Sequence, residues 1–329
     1  MLREIREICR EYNFRPSRRR GQNFLINKGI LEKIIATADL KKDDLVLEIG
    51  AGLGFLTEEL AKRVKKVLAI EIDKNLVEVL KERLKNYENV KIVKEDILGE
   101  EAEKIILKWL NSGKKFLSAV RSASADLTWS SPRSSDPRSE ASPLGCGDRQ
   151  KPFPSFISSF SKYKIVANLP YNITSRFLRN FLSAKFKPEL MVLMVQKEVG
   201  KRITASPSPG AGQCLAPKMS KLSVMVQFYG QPKIVFLVKK SNFWPKPKVD
   251  SVILKISEIK RRLNVNEERF FEMVRAGFLS PRKYLLNNLK KAGLRPWVGG
   301  EEILKKIRLS PKIRAQELSI ENWLKLVEL

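Results

Sequence analysis

The stretch LVLEIGAGLGFLTEELAKRVKKVLAIEI, residues 45 to 72, decides the fold. It opens on one short apolar run, Leu45 to Gly50 (LVLEIG), and closes on another, Val67 to Ile72 (VLAIEI). Runs of this length, rich in β-branched residues and bounded by turn formers, read as buried strands. Between them Leu56, Leu60, Ala61 and Val64 share one helical face. Leu76, Val79, Leu80 and Leu84 repeat that spacing before a third run, Val90 to Val93 (VKIV). Strand, helix, strand, helix, strand is the signature of a parallel sheet with crossover helices. Further strands are expected at Lys164 to Ala167, Leu190 to Val195, Leu222 to Tyr229, Ile234 to Val238 and Ser251 to Ile256. The later ones lie close enough for hairpins, so a mixed edge is expected.

From about Ile259 the pattern turns helical: Phe270, Phe271, Val274 and Phe278, then Leu285, Leu286 and Leu289, then Ile303 and Ile307, then Leu318 to Val327. Residues 259–329 are therefore expected to form a small all-α domain after an α/β domain over 1–258. Residues 112–161 interrupt the first domain with 14 serines and 5 prolines and read as a long loop or insertion. A second irregular stretch, Ser206 to Met219, reads as a surface excursion.

The 329 residues carry 63 Lys plus Arg against 36 Asp plus Glu, a net charge of +27, which favours a polyanionic partner. The 16 basic and 8 acidic residues of 259–329 hold only part of that excess, so a broad footprint is expected and not a basic tail. Candidate phosphate contacts are Lys239, Lys240, Lys246, Lys248, Arg18, Arg19, Arg20, Arg282 and Lys283. There is no histidine, which excludes every Ser-His-Asp or Cys-His arrangement and most zinc sites; no metal is expected. No apolar run approaches the roughly 20 residues of a membrane-spanning helix. Cys9, Cys146 and Cys214 are far apart, and the N-terminus mixes Arg3, Arg6 and Arg10 with Glu4, Glu7 and Glu11. Both features point to a reducing cytoplasm and to no secretory leader.

Glu48, Gly50, Gly52 and Gly54 form E-x-G-x-G-x-G between a strand and a helix. Glycines there let the backbone turn sharply and approach a ligand at a helix N-terminus. Glu71 closes the second strand, where a carboxylate accepts from ribose hydroxyls, and Asp96 in KEDIL is placed to accept from an adenine amino group. An adenosine-containing cofactor is implied. Nicotinamide spacing would need glycine at 55, where Phe55 stands, which tilts the choice to S-adenosylmethionine. Asn168-Leu169-Pro170-Tyr171, at the end of a strand, supplies acceptors for an exocyclic amine and a face for a base.

With these residues in order, the sequence resembles the ribosomal RNA adenine dimethyltransferase family. The matching segments are GQNFL at 21–25, EIGAGLGFLT at 48–57, EID at 71–73, EDIL at 95–98, NLPYNI at 168–173, QKEV at 196–199 with Arg202, and FWPKPKVDS at 243–251. The resemblance implies a Rossmann-like S-adenosylmethionine-dependent methyltransferase domain with a mostly parallel sheet, plus the C-terminal helical domain as an RNA binder. It implies cofactor contacts from Asn23, Leu25, Gly50, Gly52, Glu71, Asp96 and Asn168, and a target-adenine site of Asn168, Pro170, Tyr171 and Phe243. The Asn168 side-chain oxygen and the Pro170 carbonyl would polarise the amine, with Tyr171 and Phe243 clamping the base. The implied reaction is N6 dimethylation of two adjacent adenosines near the 3′ end of small-subunit rRNA, by a monomer in the cytoplasm. Two other readings stay open: a large-subunit rRNA adenine-N6 methyltransferase, and a non-catalytic RNA-binding assembly or transcription factor on the same fold.

Overall fold

A computed structural model describes residues 1–17, 20–112, 162–207, 218–293 and 300–328. The expected loop at 112–161 lies outside the described residues except Ser112, as do Arg18, Arg19, Cys146, Cys214 and most of the second irregular stretch. The chain divides into two units, residues 1–98 with 162–329, and residues 99–161. Of the second unit, one helix, α5 (Glu100–Leu110), is described, with Glu100, Glu101 and Glu103 in its first turn. Acids there complement the positive end of the helix dipole.

The deciding stretch forms β2 (Leu45–Ile49), α3 (Phe55–Ala61) and β3 (Lys66–Glu71), followed by α4 (Lys74–Arg83) and β4 (Val90–Lys94). All five residues of β2 are buried, as a strand covered on both faces requires. Ahead of them lie α1 (Leu2–Glu11), a two-residue strand β1 (Phe24–Leu25) and α2 (Lys28–Thr37), whose Asn27 side chain caps it by accepting from Ile30 N. After the second unit come β5 (Lys164–Asn168), α6 (Thr174–Ser183), β6 (Leu190–Gln196), α7 (Lys197–Ile203), α8 (Lys221–Tyr229), β7 (Gln231–Val238), β8 (Phe243–Trp244) and β9 (Ser251–Ser257). The chain closes with α9 (Glu267–Gly277), α10 (Leu285–Lys291), α11 (Gly300–Lys306) and α12 (Ile320–Glu328).

Seven strands make one sheet in the order β4-β3-β2-β5-β6-β9-β7. The first five are parallel and β9 runs antiparallel to both β6 and β7, which is the mixed edge expected from the sequence. Strand order reverses between β2 and β5, so a crevice opens beyond their carboxyl ends, the usual ligand position in an open α/β sheet. On one face α2 and α3 seal the sheet: Leu31, Ile34, Ile35, Leu56 and Leu60 pack with Val46, Val67, Val166, Val192 and Ile253.

The expected strand at Leu222 to Tyr229 is instead helix α8. Ser220 and Ser223 form a reciprocal capping box that satisfies the first free N–H groups of a helix, which nothing in a strand would use. Six of its nine residues are buried, because α6, α7, α9 and the sheet all pack around it. An apolar stripe that wide hides helical periodicity. Phe228 and Tyr229 of α8 join Phe270 and Phe271 of α9 in one aromatic cluster, with Phe228–Phe270 ring centroids 4.3 Å apart. Among the described residues, no helix is long and apolar enough to cross a membrane.

Candidate active site

A cavity of about 410 Å³ lies beyond the carboxyl ends of β2, β3, β4 and β5. Its wall includes Asn23, Leu25, Gly50, Gly52, Glu71, Asp96, Asn168, Pro170 and Tyr171, which brings nine of the ten residues expected from the sequence to one place. Phe243 is the exception.

The glycine loop is shaped by its neighbours. Gly50 has φ +68°, a left-handed conformation that costs other residues energy, and a Cβ there would sit 3.5 Å from the Pro170 ring. The loop therefore runs directly against the NLPY segment. Glu71 holds the loop from below: its Oε2 accepts Gly52 N at 2.9 Å, and its Oε1 accepts Ile72 N at 2.9 Å and Asp73 N at 3.0 Å. Three of about four acceptor positions on this carboxylate are thus taken by backbone. Burial raises its pKa, and those three N–H groups oppose the rise. Asp96, just beyond the neighbouring β4, is exposed, with Oδ1 accepting Leu98 N at 2.9 Å.

The segment before β1 straps the cavity to both ends of this wall. Gln22 Nε2 donates to Asp73 Oδ2 at 3.0 Å, and the Arg20 guanidinium pairs with the same carboxylate. Asp73 is also the N-cap of α4, accepting Asn75 N. At the other end, Asn168 Nδ2 donates to the Asn23 carbonyl at 3.2 Å. That bond fixes the Asn168 amide with its Oδ1 as the side-chain atom left to accept.

Two of the residues expected in the target site have partners elsewhere in the structure. The Pro170 carbonyl accepts Ile173 N at 3.2 Å and Thr174 Oγ1 at 3.5 Å, as the turn leading into α6 requires. The Leu169 carbonyl beside it takes no hydrogen bond from the described residues. Phe243 is only 3% exposed and packs in the core with Leu31, Val192 and Ile253. The reason is its strand: β8 pairs antiparallel with β1, Leu25 opposite Phe243 and Phe24 opposite Trp244. Phe243 is thus the cross-strand partner of Leu25, which lines the cavity.

Over residues 13–329 the chain matches the family described as "Ribosomal RNA adenine dimethylase". The chain belongs to that family. It is 36% identical over 330 residues to a ribosomal RNA small subunit methyltransferase A of Dehalococcoides mccartyi, covering 99% of this chain and 92% of that one. A protein of the same name from Clostridium botulinum is 32% identical, with 98% and 96% covered. Among solved structures, the 23S rRNA methyltransferase ErmE and a dimethyladenosine transferase from Plasmodium falciparum both superpose with TM-score 0.62 and 25% identity. They cover 93% and 92% of this chain, and 98% and 95% of their own. The protein is therefore a methyltransferase with the α/β fold of the S-adenosylmethionine-dependent enzymes.

The cavity's chemistry suits the cofactor of such an enzyme. In a chain of net charge +27, Glu71, Glu95 and Asp96 face the cavity against Arg20 and Arg176, and Arg20 is already paired. The local sign is reversed in favour of a cationic ligand such as a sulfonium. Glu48 is 2% exposed with Oε2 unpartnered, and burial lifts its carboxyl to about 8, with the neighbouring Glu71 adding to the rise. Ile72, 54% exposed, also lines the cavity, and its only mark in the sequence is its place after a strand-terminal acid. Arg176, on the first turn of α6, was missed because nothing in the sequence marks which arginine meets the cavity.

Proposed function

We propose that this protein transfers methyl groups from S-adenosylmethionine to N6 of two adjacent adenosines near the 3′ end of small-subunit rRNA, acting in the cytoplasm as a monomer. The observation that carries the reading is the fixed Asn168 amide at the end of β5, its Nδ2 tied to Asn23 and its Oδ1 beside the cavity. An adenine N6 lone pair is delocalised into the ring, so the nitrogen is a poor nucleophile. Asn168 Oδ1 and the Leu169 carbonyl would each accept one of its N–H bonds and favour a tetrahedral nitrogen. Tyr171 would present the stacking face for a base drawn out of the RNA. Bound S-adenosylmethionine supplies an electrophilic methyl group on sulfur. The glycine loop, Glu71 and Asp96 would hold it, and Asn23 and Leu25 would close the strap over it. The ammonium left by each transfer is acidic enough to lose its proton to water, so a chain without histidine meets the need. Residues 259–329 are proposed as the RNA-binding domain, adding Arg282 and Lys283 to the exposed Lys239, Lys240, Lys246 and Lys248.

Curated relatives named for the small subunit, at 32% to 37% identity, support this substrate. The equal likeness to a 23S rRNA methyltransferase favours the large-subunit reading as the second candidate. Transfer of labelled methyl from S-adenosylmethionine to unmethylated small and large ribosomal subunits, with the modified nucleotide mapped, separates them. Label on adjacent small-subunit adenosines is expected. Label on large-subunit RNA would select the second reading, and no label on either would leave an assembly factor.

A further inference from the structure

Ser251 opens β9 and is fully buried, so its hydroxyl must find a partner inside the protein. The partner is the Tyr171 hydroxyl, 2.7 Å away. The two residues are 80 apart in sequence and belong to different parts of the fold. Tyr171 stands in the turn between β5 and α6, and Ser251 stands inside the sheet, paired to Gln196 of β6 on one side and Val238 of β7 on the other. A hydroxyl in a strand held on both edges is a fixed point, whereas a tyrosine ring on a turn would otherwise swing about its own side-chain torsions.

Asp250 makes that point firmer. Its carbonyl accepts Lys197 N at 3.0 Å, where α7 begins, and its Oδ1 accepts Lys240 N at 3.0 Å, in the turn that leads into β8. The dipeptide Asp250-Ser251 is thus held by β6, β7, α7 and the approach to β8 together. Burial raises the Tyr171 phenol, with the bond to Ser251 acting the other way, so the ring keeps its proton and stays an O–H partner. The amine pocket is then fastened from outside at two places: Asn168 by the strap at Asn23, and Tyr171 by β9.

We propose that Ser251 is a positioning residue of the methyl-transfer site: its hydrogen bond to Tyr171 sets the plane of the ring against which the target adenine stacks. The inference rests on the reading of Tyr171 as the stacking face. The bond ties down the far end of the ring, so its loss lets the stacked base tilt away from Asn168 Oδ1 without emptying the pocket. Small misplacements of this kind cost rate and not cofactor affinity.

The test is a double-mutant cycle on the full chain, using unmethylated small ribosomal subunits at saturating concentration and labelled S-adenosylmethionine in single turnover. Tyr171→Phe and Ser251→Ala are each expected to slow transfer about three- to tenfold, the usual worth of one hydrogen bond. The double variant should be no slower than either single one, and calorimetric affinity for S-adenosylmethionine should match the parent in all three. Independent, multiplying losses in the double variant would overturn the proposal, because a purely structural serine would not share its effect with the phenol. If Ser251→Ala does not fold, Tyr171→Phe, which keeps the ring and its packing, decides alone: transfer at the parent rate overturns the proposal. Tyr171→Ala separates the two levels of the argument. A large loss there with none in Tyr171→Phe leaves the stacking face standing and removes the anchor, whereas no loss in Tyr171→Ala removes the stacking face itself.

Discussion

The two ends of the parallel strands bury charge in opposite ways. At the amino end of β5, Lys164 is 5% exposed, yet its ammonium donates to Asp44 Oδ2 at 2.8 Å and to the carbonyls of Asp39 at 2.5 Å and Ala38 at 3.4 Å. Every donor is used, and the group ties the end of α2 to the start of the sheet. At the carboxyl ends of β2 and β3, Glu48 and Glu71 are as deeply buried, but among the described residues neither has an ion-pair partner. The difference marks one end as closed and the other as held open for a ligand of positive charge.

If that contrast is right, substitutions at the open end cost chemistry and those at the closed end cost stability. The largest effect belongs to Asn168→Ala, which removes a preorganised acceptor and leaves Tyr171 and the cavity in place. Single-turnover methyl transfer should fall by about a hundredfold or more while S-adenosylmethionine and RNA still bind. Transfer at the parent rate would break the open-end reading at its centre. Next comes Glu71→Ala, which strips three backbone N–H groups of their acceptor and one place for a ribose hydroxyl. Calorimetry should show cofactor affinity lowered by roughly ten- to a hundredfold, or about 1.4–2.7 kcal/mol. RNA binding should persist.

How far the sequence could be read follows the same division. The glycine loop, Glu71, Asp96 and NLPY were legible because each sits where a strand ends, and local pattern locates strand ends. The β1–β8 ladder was not: two residues pairing with two others more than 200 positions away leave no periodicity to read. Its invisibility is why the burial of Phe243 is not legible in the sequence. The engagement of the Pro170 carbonyl is illegible for a different reason, since which of two consecutive carbonyls a turn consumes depends on backbone angles and not on residue type. In α8, the run LSVMVQFY has the composition of a strand, and only the serine pair ahead of it and the packing on several sides make it a helix. Gln22 lay inside a recognised motif, but its partner Asp73 is 51 residues on.

The closed end is tested by Lys164→Met, which keeps the length of the stem, leaves two carbonyls without their donor and leaves Asp44 with only the Lys41 N–H. A loss of about 1–2 kcal/mol is expected, below the range for a wholly buried pair because Asp44 still reaches water. Urea unfolding measures it. Transfer by the folded fraction should be unchanged, and a rate deficit beyond the unfolded fraction would erase the distinction between the two ends. Adding Asp44→Leu should recover part of the stability and not all, since the carbonyls of Ala38 and Asp39 remain unpaired and Lys41 N loses its acceptor.

The last effect is graded with pH and comes from Glu48. Its carboxyl is lifted from the ordinary 4.5 to about 8, first by burial, so the folded protein holds a proton there that the unfolded chain has released. The sign follows from linkage: where the native state binds more protons, stability falls as pH rises. The window runs from about 4.5 to about 8, and the slope from one group is at most about 1.4 kcal/mol per pH unit. Glu71, also raised by burial, adds in the same direction, opposed by its three N–H donors. Urea midpoints should therefore rise as pH is lowered from 8 to 6, and Glu48→Gln, which keeps the shape and cannot titrate, should flatten that rise. An unaltered slope in Glu48→Gln would assign the dependence elsewhere. The same group sharpens the contrast with Lys164, whose donors are all satisfied without any ligand. A cation placed in the cavity favours the ionised carboxylate, so S-adenosylmethionine binding near neutral pH should release up to one proton. Calorimetry in buffers of different ionisation enthalpy reads that release directly, and Glu48→Gln should reduce it.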